Sequence, residues 1–240
     1  MKTKKLGLIG KNISYSFSKI YFETKFKNLN ADFNYDLFDI PSINDVEELF
    51  KIENIVGLNV TQPYKEAIIP FLDELSEEAL QIGAVNTILI QNEKKIGYNT
   101  DAFGFEKTLL LKKNAKHEQA LILGNGGAAK AIQFVLNKHN IPFQIISRKG
   151  DITFEDLDEN LISNHQIIIN STPVGTFPDI KEHIPFPFQF LTENHLVIDL
   201  IYNPEITEFL RKSANFGAKT LNGQYMLEQQ AEKAWQIWNS

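Results

Sequence analysis

The sequence has no cysteine, which excludes disulfides, thiolate catalysis, iron–sulfur clusters and cysteine-type zinc sites. Histidine is scarce: His117, His139, His165, His183 and His195 are the whole set, and no two stand four apart. A histidine-built metal centre is therefore not expected. None of the five lies in the first hundred residues, so proton transfer there must use another side chain. Long apolar runs are missing too. The run 6–10, after Lys2, Lys4 and Lys5, stops at Lys11, short of the roughly 7–15 residues a signal peptide requires. No stretch approaches the roughly 18 apolar residues of a spanning helix, so a cytoplasmic protein is expected. Basic residues are outnumbered, 24 against 30 acidic, for a net charge of −6. That balance argues against broad nucleic-acid or anionic-membrane binding, which needs clustered Lys and Arg.

Hydrophobic residues make up 43% of the 240, enough for one large domain or two modest ones. Strand-like and helix-like patterns alternate, which predicts an α/β fold with parallel strands. In the first hundred residues, 6–9, 33–40 and 55–60 read as strands, and 17–29 and 43–52 as helices. Segments 85–90 and 95–98 read as a hairpin, and Pro63 sits where a first-turn proline opens a helix. A second series begins near residue 102, with a helix over 103–111 and strands at 120–123, 143–147, 166–170 and 196–200. The last helix spans 226–238. The expected division is a first α/β domain of 1–101, joined by the C-terminal helix 224–240, and a Rossmann-like domain of 102–223.

The segment from Leu121 to Ala129 is an apolar strand, then Gly124-x-Gly126-x-x-Ala129, then an amphipathic helix. Gly124 permits a tight turn and Gly126 lets backbone approach a pyrophosphate. A small residue at 129 lets helix and strand pack closely, and the helix N-terminus offers N–H groups to phosphate. The pattern also suits an ordinary strand-to-helix turn; the flanking strand and helix favour the dinucleotide reading. The next strand ends Ser147-Arg148-Lys149, where NAD-binding folds place an acid for the ribose 2′-hydroxyl. A hydroxyl and two cations suit a 2′-phosphate instead, which predicts NADP.

Asn59-Val60-Thr61-Gln62-Pro63-Tyr64-Lys65 runs out of a strand, and Asn99-Thr100-Asp101 lies at the domain junction. Ligands of open α/β folds bind beyond the carboxyl ends of strands. Hydride transfer between carbinol and carbonyl also moves a proton on oxygen, which needs a positioned acid or base. Without histidine in this half, Lys65 oriented by Asp101 is the natural candidate. Taken alone, Lys65 also reads as a solvated turn lysine and Asp101 as a helix cap. Ser14, Ser16 and Ser18 alternate, so an extended segment would put their hydroxyls on one side, suiting a carboxylate.

Together these segments resemble the shikimate dehydrogenase family, over nearly the whole chain. The resemblance is carried by Gly10-Lys-Asn-Ile-Ser-Tyr-Ser16-Phe-Ser18, the 59–65 motif, Gly83-Ala-Val-Asn86-Thr and Asn99-Thr-Asp101. It continues through the glycine turn, Ile146-Ser-Arg148, Asn170-Ser-Thr-Pro-Val-Gly175, Asp199-Leu-Ile-Tyr202-Asn-Pro204 and Gly223-Gln-Tyr-Met-Leu-Glu-Gln-Gln230. It implies NADPH-linked reduction of 3-dehydroshikimate to shikimate in aromatic amino-acid biosynthesis. By that similarity Ser16 and Ser18 hold the substrate carboxylate with help from Tyr202. Thr61, Lys65, Asn86, Asp101 and Gln230 meet the ring hydroxyls, with Lys65 and Asp101 as the catalytic pair. Gly124, Asn125, Gly126, Gly127 and Ala128 would cradle the pyrophosphate, and Ser147, Arg148 and Lys149 the ribose phosphate. Leu200 and Gly223 would lie near the nicotinamide, and Glu77 occupies a position the family associates with the cofactor.

Three features depart from the family pattern. Tyr15 and Lys19 bracket the serines where the family usually has His and Pro, and Tyr225 replaces a usual glycine. After Arg148 a second Arg and a full helix are missing, with Lys149 as the only nearby substitute. An NAD-linked quinate/shikimate dehydrogenase, or a dinucleotide-binding sensor without turnover, are the competing expectations. A monomer or a homodimer is compatible with the acidic composition.

Overall fold

Two sheets form from the strand–helix alternation, in a computed structural model that describes residues 3–13 and 16–240. Ser14 and Tyr15 of the serine motif lie outside the described residues. The chain divides into one compact unit of Met1–Thr100 with Ala231–Ser240, and another of Asp101–Gln230.

The first unit contains β1 (Lys4–Gly10), α1 (Phe17–Leu29), β2 (Phe33–Asp39), α2 (Val46–Leu49), β3 (Ile55–Val60), β4 (Glu74–Leu75), α3 (Glu77–Ile82), β5 (Thr87–Gln91) and β6 (Lys94–Tyr98). Strand order is β2-β1-β3-β5-β6-β4. β1 runs parallel to β2 and β3, whereas β5 runs antiparallel to β3 and β6. β1 is buried from Leu6 to Gly10, as expected of a strand covered on both faces. Its alternate side chains feed two cores. Leu6 and Leu8 join Phe22, Phe26 and Tyr35, sealed by Ala234 and Trp238; Ile9 joins Val46, Leu58, Val60 and Ile68.

Two helix expectations change here. Segment 43–52 yields a 3₁₀ turn at Ile43–Asp45 and the short α2. Pro63 opens no α-helix: residues 62–63 and 65–68 form turns, ahead of a 3₁₀ turn at Ile69–Phe71. The cause is competition for backbone groups. The Lys65 carbonyl accepts from Val85 N–H at 2.8 Å, so it does not serve a helical ladder, and Pro70 has no N–H to donate.

The second unit holds the rest of α4 (Thr100–Lys112), then β7 (Ala120–Leu123), α5 (Gly127–Lys138), β8 (Phe143–Ile146), α6 (Glu159–Asn164), β9 (Ile167–Asn170), β10 (Leu196–Asp199), α7 (Glu208–Asn215), β11 (Lys219–Leu221) and the first half of α8 (Gln224–Trp238). The order β11-β10-β9-β7-β8 is parallel throughout, a Rossmann-like arrangement whose strand order reverses beside β7. β7, β9 and β10 are buried along their full length. The shortening after Arg148 shows directly. Residues 147–151 lead from β8 to one parallel bridge, Ile146 with Ile152, then to a 3₁₀ turn at Phe154–Asp156. A parallel neighbour needs a crossover of about a dozen residues, so the pairing ends after that bridge.

Candidate functional site

In the first unit one sheet edge collects the expected substrate residues. Ile9 pairs with Val60, so the segments after β1 and β3 emerge side by side; Thr61 N–H donates to the Ile9 carbonyl at 2.9 Å. The first segment carries Ser16 and Ser18, and the second carries Thr61 and half-buried Lys65. Asn86 arrives at the same edge because β5 is antiparallel: Val60 N–H donates to the Asn86 carbonyl at 2.9 Å. Ser16 stands at the N-cap of α1 with its hydroxyl not spent on capping.

Asn86 has a second task. Its Oδ1 accepts from Thr100 N–H at 2.7 Å, and its Nδ2 donates to Thr100 Oγ1 at 3.0 Å. The cap of α4 thus comes from a distant amide, and Asp101 sits within the first turn, where the helix dipole favours a carboxylate. Asp101 is buried at 3% exposure. Gln230 of α8 packs beside Gly104, one turn along α4; a Cβ on Gly104 would stand 3.3 Å from that of Gln230. Glu77 is set apart, exposed at the start of α3 and paired with Gln81 of its own helix.

The second unit gathers its candidates at the carboxyl ends of β7, β8, β9 and β10. Gly124 adopts φ +106°, a left-handed conformation that favours glycine. It lies against Ser171 and Thr172 after β9, at the point where strand order reverses. Gly126 is the N-cap of α5, carries no side-chain cap, and a Cβ there would meet nothing within 4 Å. The helix thus presents its first N–H groups to open space, with exposed Asn125 and half-buried Gly127 and Ala128 around them. Beside it, Gly124 N–H donates to the Ile146 carbonyl at 2.8 Å, which brings half-buried Ser147 and exposed Arg148 and Lys149 next to the glycine turn. An open, uncapped helix N-terminus flanked by a hydroxyl and two cations fits a dinucleotide carrying an extra phosphate.

Strands β9 and β10 end in a buried polar network that pattern reading missed. Asp199, 0% exposed, accepts at Oδ1 from Asn170 Nδ2 at 3.0 Å and Ile201 N–H at 3.1 Å. Its Oδ2 accepts from Thr207 Oγ1 at 2.6 Å. The available signal was a polar residue closing each of two otherwise apolar strands. Half-buried Leu200 and exposed Tyr202 follow directly. Gly223 backs onto this turn so closely that a Cβ would fall 2.0 Å from the Leu200 carbonyl oxygen.

Burial among these neutral partners pushes the Asp199 carboxyl up to about 6 from 3.8, against the opposing pull of its three hydrogen bonds. The protonated form is favoured by folding, so this contribution to stability is full below pH 3.8 and lost as pH rises through about 6. Relative to Asp199→Asn, the wild type should lose about 3 kcal/mol between roughly pH 4 and 7. Urea unfolding of both proteins across that range measures the difference; a flat difference would reject the burial cause.

Among the described residues no helix is long and apolar enough to cross a membrane, and no group of three or more His, Asp or Glu is placed to hold a metal. The family model described as shikimate dehydrogenase substrate binding domain matches residues 8–88. Shikimate dehydrogenase (NADP(+)) from Methanococcus maripaludis is 38% identical over 257 residues, covering 99% of this chain and 92% of that protein. A chorismate mutase/shikimate 5-dehydrogenase fusion protein from Clostridium acetobutylicum superposes with TM-score 0.89 at 34% identity, covering 100% of this chain and 92% of its own. Shikimate 5-dehydrogenase from Thermus thermophilus, in complex with NADP(H) and shikimate, gives TM-score 0.86 at 28% identity, covering 98% of this chain and 93% of its own. The chain belongs to the shikimate dehydrogenase family.

Proposed function

We propose that the protein catalyses the reversible, NADPH-dependent reduction of 3-dehydroshikimate to shikimate, in the cytoplasm and as a monomer or homodimer. The observation that carries this reading is the single sheet edge that collects Ser16, Ser18, Thr61, Lys65 and Asn86, within the segment matched as substrate binding. Hydroxyls and amides with few charges suit a polyhydroxylated ring acid, because analogues lacking a hydroxyl leave such groups unpaired. Ser16 and Ser18, with Tyr202, would bind the carboxylate; Thr61, Asn86 and Gln230 would orient the ring hydroxyls.

Gly124 to Ala128 would hold the pyrophosphate of NADP, and Ser147, Arg148 and Lys149 its ribose phosphate. Leu200 and Gly223 would border the nicotinamide, and Glu77 would contribute to holding the cofactor. The bound cofactor supplies the hydride, or accepts it in the reverse direction. The Lys65 ammonium gives its proton to the carbonyl oxygen as that oxygen becomes a hydroxyl, and recovers it when shikimate is oxidised. Asp101 orients the ammonium and balances its charge. The proposed domains are 1–101 with the closing helix 224–240, which carries most substrate contacts, and 102–223, which carries most cofactor contacts.

Rates with shikimate and quinate, each with NADP⁺ and NAD⁺, test the assignment. Shikimate with NADP⁺ should exceed each other pairing by at least about tenfold, or ~1.4 kcal/mol. Preference for NAD⁺ with quinate would establish the sister activity, and NADPH binding without turnover would indicate a sensor.

A further inference from the structure

The carboxylate of Asp199 closes β10 at its carboxyl end, yet no role in the reaction described above uses it. It is fully buried and its hydrogen-bond partners are all neutral: the Asn170 amide, the Ile201 N–H and the Thr207 hydroxyl. Burying a carboxylate without a cation is expensive. An aliphatic side chain of similar size would leave the Asn170 amide, the Ile201 N–H and the Thr207 hydroxyl without an acceptor, so the purpose of the acid lies in what it holds.

It holds three segments. Asn170 ends β9, and its Oδ1 in turn accepts from Thr172 N–H at 3.0 Å and Thr172 Oγ1 at 2.7 Å. Thr207 is the N-cap of α7, its Oγ1 accepting from Leu210 N–H at 3.2 Å. Between them, the turn after β10 is pinned on every side. Leu200 N–H donates to the Asn170 carbonyl at 3.0 Å, Gly223 N–H donates to the Ile201 carbonyl at 3.0 Å, and Asp199 takes the Ile201 N–H. One side chain therefore fixes the peptide from which Leu200 and Tyr202 project.

We propose that Asp199 is a positioning residue for hydride transfer, fixing the Leu200–Tyr202 turn against the nicotinamide and the substrate carboxylate. The proposal rests on the functional reading in which Leu200 borders the nicotinamide and Tyr202 meets the substrate. Two oxygens accepting three hydrogen bonds give the turn one geometry. Alanine removes all three, whereas asparagine can keep the two at Oδ1 and turn its amide to Thr207 Oγ1.

The test compares Asp199→Ala, Asp199→Asn and Thr207→Val with wild type. Asp199→Ala should lower kcat for shikimate oxidation about 30- to 100-fold, the cost of roughly 1 Å of misplacement, and raise the shikimate KM. Its Kd for NADP⁺, measured by fluorescence, should change less than about threefold, because the phosphate contacts lie at other strand ends and separate sites act independently. Asp199→Asn should restore kcat to within about threefold of wild type, a rescue that a lost charge would not permit. Wild-type kcat in Asp199→Ala, or an Asp199→Asn enzyme as slow as the alanine variant, would overturn the proposal. Should Asp199→Ala not fold, Thr207→Val breaks one bond of the same network and must still lower kcat with NADP⁺ affinity intact; unchanged kcat there overturns the proposal equally. A wild type that does not oxidise shikimate would instead refute the functional reading on which the proposal rests.

Discussion

Lys65→Ala is expected to lower kcat for shikimate oxidation by about 10²–10⁴-fold, the usual worth of a positioned acid or base. The shikimate KM should stay within about threefold, because the substrate is gripped by the hydroxyls and amides of Ser16, Ser18, Thr61, Asn86 and Gln230. The local backbone contact does not depend on this side chain. Its backbone carbonyl, which alanine retains, makes the contact with Val85 N–H, and the residue lies in a half-buried turn outside both cores. Lys65→Arg separates proton transfer from charge. A guanidinium keeps the positive charge yet does not release its proton near neutral pH, so this variant should be nearly as slow as alanine. Steady-state kinetics decide the matter: if either variant keeps wild-type turnover, another group moves the proton.

The second large effect is structural. Gly223→Ala would place a methyl carbon 2.0 Å from the Leu200 carbonyl oxygen, 2.5 Å from its carbon and 3.2 Å from the Ile201 carbon. All three are backbone atoms, so no rotamer relieves the clash. The start of α8 must back away from the turn after β10, breaking the 3.0 Å bond from Gly223 N–H to the Ile201 carbonyl. Overpacking of this kind costs about 3 kcal/mol, which should lower Tm by about 6–12 °C. Because the displaced turn carries Leu200 and Tyr202, kcat should also fall by about 10²-fold. Thermal melts with single-turnover rates on the same sample test both parts. A variant with unchanged Tm and kcat would show that the close approach does not exist in solution.

The parts of the fold that could be read in advance are those whose causes are local. The segment 120–138 declares itself because an uninterrupted apolar strand, two glycines and a helical apolar stripe lie in immediate succession. The missing helix after Arg148 is equally plain, since the few residues before Ile152 cannot cross over to build a parallel neighbour beside β8. The failures come from long-range competition for backbone groups. Nothing near Pro63 reveals that Val85, far along the chain, claims the Lys65 carbonyl and stops a helix. Nothing near Thr100 reveals that Asn86 will cap α4, so the helix starts ahead of the pattern that suggested residue 103.

The candidate site follows the same division. Serines, Thr61, Lys65 and the glycine turn stand out because their chemistry is unusual where it occurs. Asn170, Asp199 and Thr207 do not, for each is an ordinary residue closing a strand or opening a helix. Only the parallel register that sets Asp199 beside Asn170 makes them a unit.

The truncated crossover also bears on how the margin of the second sheet avoids pairing with another copy. Among the described residues β8 pairs along its length with β7 and touches Ile152 at one position, so its outer margin offers unpaired backbone groups, the usual template for joining a second chain. Three features blunt it: the strand is only four residues long, Gln144 is exposed, and Arg148, Lys149 and Asp151 crowd its end with charge. The cations proposed to recognise a phosphate thus serve also as gatekeepers, repelling the like-charged end of another copy before two sheets can merge.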